Sequence, residues 1–271
     1  MKRFIPFIAK DPVVSVVTLS GVIAASNRSG TLSDSALAPA IERAFAKGKP
    51  AAVALVLNSP GGSPAQSSLI AGRIRRLADE KKIPVHAFVE DVAASGGYWL
   101  ACAADDIWID ASSVVGSIGV ISAGFGLHEA IARIGVERRV YTSGKDKSML
   151  DPFRPERAED VERLKGIHRQ IHEAFIAHVK ARRGARLVGG DDLFTGEFWV
   201  GQRGVDLGLA DGLGHIVPKL KELYGDKVRF QRFGPRRGLF QRFGASLSAE
   251  LTGGIEASIE DRALWSRYGL T

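Results

Sequence analysis

The six consecutive residues Ala52-Val53-Ala54-Leu55-Val56-Leu57 carry no polar side chain. A strand with one wet face alternates apolar and polar residues. A short unbroken apolar run instead marks a strand covered on both faces, the situation of central strands in a parallel sheet. The pattern recurs at 84–89 and in the β-branched stretch 13–19, and further strands are expected at 107–109, 114–121 and 137–141. Helical segments stand between the runs. Residues 34–47 place Leu37, Ile41 and Phe45 on one face, behind Ser33 or Asp34 as a cap, and 64–81 follows a turn. A small-residue helix is expected to run to 104, and a short helix covers 127–134. A long one spans 155–183, with Val161, Leu164, Ile167, Ile171, Phe175 and Val179 on one stripe, and a last one covers 216–224. Strands alternating with helices predict an α/β fold with a mostly parallel sheet. In such sheets functional groups gather beyond the carboxyl ends of strands. Two loops lie there: Asn58-Ser59-Pro60-Gly61-Gly62-Ser63, and Ala94 to Tyr98.

Composition narrows the reading without setting it. Hydrophobic residues make up 45% and charged residues 25% of the 271, which excludes disorder for most of the chain. The single cysteine, Cys102, excludes an intramolecular disulfide and a Cys-rich metal site. No segment reaches the roughly 18–20 apolar residues that span a bilayer. Lys2 and Arg3 before an apolar stretch resemble the opening of a signal peptide, but Lys10, Asp11 and Pro12 break the run. The net charge of +7 is concentrated late: residues 227–249 hold Lys227, Arg229, Arg232, Arg236, Arg237 and Arg242 and no acid. There Phe230-Gln231-Arg232-Phe233-Gly234 is repeated as Phe240-Gln241-Arg242-Phe243-Gly244. The chain therefore divides into an α/β domain, 1–225, and a basic aromatic C-terminal tail, 226–271. Arg residues interleaved with Phe suit the surface of an anionic membrane, so peripheral contact through the tail is expected. Nucleic acid is not an expected partner, because no fold for it appears.

Ser95 stands between a buried strand and a helix, among Ala94, Gly96 and Gly97. Small neighbours permit a sharp turn that exposes the hydroxyl. The free N–H groups and dipole of a helix start favour negative charge there. Such a serine can attack a carbonyl or, more simply, cap the helix. Gly61 and Gly62 let backbone N–H groups approach a substrate closely. Neither GxGxxG nor GxxxxGK[ST] is present, which disfavours a phosphate site. A nucleophilic hydroxyl needs a base. His86 lies within an apolar strand and reads as a core residue. His168 and His172 are one helical turn apart but lack the HExxH glutamate and a third ligand, so no metal site is expected. His128 is the plausible histidine base. The other candidates are lysines in Ser143-Gly144-Lys145-Asp146-Lys147-Ser148, since burial can neutralise a lysine.

Four motifs occur in order: Asn58-Ser59-Pro60-Gly61-Gly62, then Ala93-Ala94-Ser95-Gly96-Gly97-Tyr98, then Gly116-Ser117-Ile118-Gly119-Val120, then Ser143-Gly144-x-x-Lys147 before Pro152. Together they resemble the signal peptide peptidase A family, Ser-Lys proteases on the Clp/crotonase fold of repeated ββα units, over residues 13–224. The resemblance implies Ser95 as nucleophile and Lys147 as general base, with Lys145 its rival. It implies Ser117 as the hydroxyl that orients the lysine. Gly61 or Gly62, with the Gly96 amide, would form the oxyanion hole. It implies peptide substrates, no metal or other cofactor, and a homo-oligomer. In a chain with one copy of each motif, Ser95 and Lys147 are expected in neighbouring subunits or at a subunit boundary. Family members usually carry an N-terminal membrane anchor, and the N-terminal segment here does not read as one. The expected setting is therefore cytoplasmic, with the tail at the membrane surface. The rivals are a Ser-His-Asp peptidase using His128, an inactive scaffold, and a crotonase-type acyl-CoA enzyme, which has no need of Ser95.

Overall fold

The computed structural model describes residues 11–26, 30–144, 146–234 and 262–269. The chain enters through β1 (Val13–Ser20), and β2 (Val22–Ile23) and β3 (Thr31–Leu32) form a small parallel pair. Helix α1 (Asp34–Ala46) is capped by Ser33, whose hydroxyl accepts from Ala36 N–H. Strand β4 (Ala52–Ser59) leads through the glycine turn to α2 (Pro64–Lys81), with Ser63 at its N-cap and Pro64 at its first position. Then follow β5 (Val85–Ala94), α3 (Gly96–Ala101), β6 (Asp106–Ile109), β7 (Val114–Gly116), α4 (His128–Arg133) and α5 (Ala158–Arg183). The last elements are β8 (Phe198–Val200), α6 (Gln202–Asp206), β9 (Gly212–Leu213), α7 (Ile216–Tyr224) and β10 (Arg229–Phe233).

The main sheet has the order β10-β1-β4-β5-β6-β9, all parallel. Strand β7 pairs with the far end of β5, and β8 pairs antiparallel with β7. The apolar run in β4 has the predicted cause. Val53, Leu55 and Leu57 join the core under α1, α2 and α3, while Ala52, Ala54 and Val56 face Leu220 and Val228 on the other side. The lower half of α5 joins the first layer. Phe175 and Val179 are buried, and Trp99 of α3 stacks between Phe175 (centroids 4.9 Å apart) and His178 (5.0 Å).

Four expectations change. The strand expected at 114–121 stops at Gly116, because Gly116 (φ +104°) and Ser117 (φ +52°) turn the chain out of the sheet. The strand expected at 137–141 is absent: these residues are largely exposed and have no neighbouring strand to pair with. The helix expected to reach 104 ends at Ala101 and gives way to turns. The expected division at 225 does not end the sheet, since β10 lies beyond it and pairs with β1. The first copy of the Phe-Gln-Arg-Phe-Gly repeat is this strand. Phe230 packs against the Val14 cluster and Phe233 enters the main core, so these rings are not free for a membrane. The second copy lies outside the described residues.

Candidate active site

Ser95 is the N-cap of α3 at the end of β5, with φ +51° and ψ −122°. L-residues rarely adopt this conformation, and it costs of order 1–3 kcal/mol. The surroundings impose it. Ser95 N–H donates to Gly116 O (2.9 Å), and the Ser95 carbonyl accepts from Tyr98 and Trp99 N–H (3.0 Å each). Tyr98, fully buried, donates from its hydroxyl to Leu209 O (2.9 Å), which anchors the helix behind the serine. The Ser95 side chain is not a capping hydroxyl: it makes no cap bond, and it has no hydrogen-bond partner among the described residues. The residue is half-buried.

The glycine turn after β4 lies directly against this elbow. A Cβ built on Gly61 (φ +105°) would stand 2.8 Å from both Gly96 N and Ser95 Cβ. Gly62 abuts Ile23 O, and Gly97 abuts Ser59 O. No side chain fits at these three contacts. Gly61 N–H leans on Ser59 Oγ (3.3 Å). Gly96 N–H, first of its helix, has no intrahelical acceptor. Neither it nor Gly62 N–H has an acceptor among the described residues, and both are buried or half-buried beside Ser95. The geometry thus narrows the predicted alternatives: Gly62 and Gly96 offer open donors, and Gly61 supplies the close approach.

Ser117 sits on the neighbouring turn, and Ser95 bonds the carbonyl of the residue just before it. Its N–H donates to Glu197 O (2.7 Å), and its hydroxyl accepts from Tyr268 Oη (3.2 Å). Tyr268 lies in the C-terminal segment at 262–269. It packs with Trp265 on Val92, Ala94 and Val114, edge-on to Phe198. Sequence reading did not find this contact, because nothing near Tyr268 marks it as more than a terminal aromatic.

Lys147 makes no hydrogen bond to Ser95 or Ser117 within the single chain. It is exposed, and its ammonium has no hydrogen bond or ion pair among the described residues. Its loop is held on the first turns of α5. Asp146 pairs with Arg163 (2.7 Å), and Asp160 accepts the Leu150 N–H (3.4 Å). The Arg157 hydrogen bond holds the Asp160 carboxyl below its usual range. The segment after Ser117 instead meets α5 at His172 (Ile118 O, 3.0 Å). From Arg163 to His172 is about 13 Å along the helix axis. Lys145, the rival base, lies outside the described residues. The segment between β7 and α5 forms an arm of the chain that carries both Lys147 and His128, and His128 has no hydrogen-bond partner among the described residues, so no Ser-His pair forms. His86 is buried and bonded to Asp106 (2.9 Å) and Tyr224 Oη (2.7 Å), a core role.

The arm is markedly apolar for an exposed segment. Phe125 is 83% and Tyr141 91% exposed, and Ile121, Ile134 and Val136 are also uncovered. On the predicted α5 stripe Ile167 is exposed too, while Val161, Leu164 and Ile171 are half-buried. A cavity of about 590 Å³ lies elsewhere. It borders β5 at Phe88 to Asp91, before the elbow, and does not include Ser95. Among the described residues no group of three or more His, Cys, Asp or Glu could hold a metal, and no helix is long and apolar enough to cross a membrane.

Comparison with known proteins places this arrangement. The chain is 49% identical over its full length to a protein of Brucella melitensis named Na(+)/H(+) antiporter NhaA, but spans only 39% of that protein. It is 32% identical over 164 residues to the chloroplastic serine protease SPPA of Arabidopsis thaliana, covering 59% of this chain and 24% of that one. Among solved structures, the membrane-bound stomatin-specific protease 1510-N in complex with a substrate peptide matches with a TM-score of 0.53 at 15% identity. That match covers 94% of this chain and 99% of that chain, and at this identity it speaks for the fold. The model of peptidase family S49 matches residues 78–225, which include Ser95, Ser117 and Lys147, and the chain belongs to that family.

Proposed function

We propose that the chain is a serine endopeptidase that cleaves small or unfolded peptides, signal-peptide remnants among them, through an acyl-enzyme on Ser95. The observation that carries this is the strained elbow: an unpartnered Ser95 hydroxyl flanked by the open N–H groups of Gly62 and Gly96. Neutral Lys147 Nζ takes the proton of Ser95 Oγ as the oxygen bonds to the peptide carbonyl carbon. The oxyanion formed is met by Gly62 and Gly96 N–H. Collapse breaks the C–N bond, and Lys147 returns the proton to the leaving amine. Water then repeats the cycle on the ester and frees Ser95. Ser117 orients the lysine.

The Lys147 that serves each Ser95 belongs to a neighbouring copy in a homo-oligomer. A lysine acts as a base near neutral pH only when desolvated. In one chain Lys147 is exposed and makes no bond to Ser117, while the arm that bears it presents an uncovered apolar surface. A second copy seated on that surface both covers the apolar residues and desolvates the lysine. The antiporter name of the Brucella relative is not carried over, because that protein extends well beyond the matched part.

The test is hydrolysis of a fluorogenic peptide panel by wild type, Ser95→Ala and Lys147→Ala across pH 6–10. The reading requires loss of activity in both variants with folding and assembly intact. Activity surviving in Lys147→Ala moves the base to Lys145 or His128. An assembled wild type inactive on every peptide favours the scaffold.

A further inference from the structure

Two histidines one turn apart on α5 are not accounted for by the reaction. His172 is half-buried, and its Nε2 lies 3.0 Å from the Ile118 carbonyl. A carbonyl can only accept, so the Nε2–H of His172 donates. His168 Nε2 lies 2.7 Å from Ser122 Oγ. Both Nε2 atoms are thus engaged, which leaves the metal reading of the pair without free ligand atoms there.

What they hold is the segment on which the site depends. Ile118 follows Ser117 directly, and Ser117 follows Gly116, whose carbonyl receives the Ser95 N–H. On the opposite side Glu197 O takes the Ser117 N–H, and Gly119 lies against Gly196, whose Cα stands 3.0 Å from a built Gly119 Cβ. The segment is therefore gripped from both sides just where two successive residues have positive φ. The grip on the α5 side is itself anchored. Phe175 and His178, one and two turns on, stack against Trp99 of α3, and His178 Nε2 also bonds Trp99 O (3.1 Å). One helix thus braces α3, which Ser95 opens, and the turn that carries Ser117.

We propose that His172 is a positioning residue of the peptidase site, assisted by His168: it pins the Ile118 carbonyl, and so the Gly116–Ser117 backbone that orients both serines. This rests on the Ser95–Lys147 reading. The contact acts through Ser117 and the Ser95 N–H, never on the substrate. Its loss therefore slows the chemical step and spares ground-state binding.

The experiment compares His172→Leu, His172→Gln and Lys147→Ala in the full chain. It measures kcat, KM, the pH profile and assembly with one peptide substrate. In His172→Leu we expect kcat to fall about ten- to a hundredfold with KM within about twofold, since displacements near 1 Å cost up to that much. The apparent pKa of the ascending limb should move, because Ser117 no longer orients the base. His172→Gln, whose amide N–H can reach the carbonyl, restores most of kcat. If His172→Leu does not fold, His172→Asn, too short to reach, takes its place with the same expectation. The inference is overturned by a kcat near wild type with an unmoved pH profile, or by equal losses in the Leu and Gln variants. If Lys147→Ala is fully active, the base assignment fails instead. If Lys147→Ala is dead and His172→Leu is normal, only the positioning role fails.

Discussion

Gly61→Ala is the substitution whose effect the geometry fixes most tightly. Gly61 has φ +105°, outside the usual reach of alanine, and this costs of order 1–3 kcal/mol. The new methyl would also stand 2.8 Å from Gly96 N and from Ser95 Cβ. Neither neighbour is the far end of a flexible side chain, so backbone must shift, and overpacking of this kind adds about 1–3 kcal/mol. The expected destabilisation is therefore about 2–6 kcal/mol against a typical total of 5–15. That corresponds to a melting point lower by roughly 4–24 °C. The groups forced to move are Ser95 and Gly96, the proposed nucleophile and an oxyanion donor. Losing one such donor typically costs about 100- to 1000-fold in kcat. Thermal melting and steady-state peptide hydrolysis, run below the variant's melting point, separate the two effects. Gly72→Ala is the control: Gly72 is exposed within α2 with nothing within 4 Å of a built Cβ, so alanine there should add about 0.5–1 kcal/mol. A folded Gly61→Ala variant with kcat within about threefold of wild type would refute the packing of Gly61 on the reacting groups.

Further outcomes follow from the same structure. If Ser95 and Lys147 of different copies make each site, co-refolded Ser95→Ala and Lys147→Ala chains should regain about a quarter of the wild-type rate, as random assembly around a ring dictates. Inactivity of every mixture would place the pair in one chain. Asp211→Ala should cost about 3–5 kcal/mol in denaturant unfolding, because it strands Arg183, a buried guanidinium that donates to Asp211 (2.7 Å). Burial alone would raise the Asp211 carboxyl, but the Arg183 hydrogen bond and charge outweigh it and hold it below its usual value. With the folded-state pKa depressed, that stabilisation is complete above about pH 4 and is lost as pH falls through the folded value. The pH dependence of unfolding should flatten below pH 4 in Asp211→Ala, and an unchanged slope would remove Asp211 from the acid response.

Much of this architecture is legible in the residues because local and tertiary demands agree. The apolar run of β4 is buried on two faces, and Ser33 and Ser63 cap the helices that their neighbours predict. Gly61, Gly62 and Gly97 are glycines because backbone or a reacting group fills the space of a Cβ. Other features depend on partners distant in sequence. Strand β8 is three residues long and exists because β7 lies beside it. The expected strand at 137–141 has the right residues but no edge to join. Phe230 and Arg232 look like a surface patch until β1 offers them a register. Tyr268 reaches Ser117 from 151 positions away, a contact no periodicity could announce. Nothing around His168 and His172 in the sequence announces the loop they bond, because the fold alone brings Ser122 and Ile118 to α5.

The central claim is that Ser95 is a nucleophile rather than a helix cap. Treating the assembled protein with a serine-directed fluorophosphonate, and locating the adduct by peptide mass spectrometry, tests this without knowledge of the substrate. The account predicts a single adduct on Ser95, absent in Ser95→Ala and strongly slowed in Lys147→Ala. Labelling of Ser95→Ala at the wild-type rate, or an adduct on another serine alone, would contradict it.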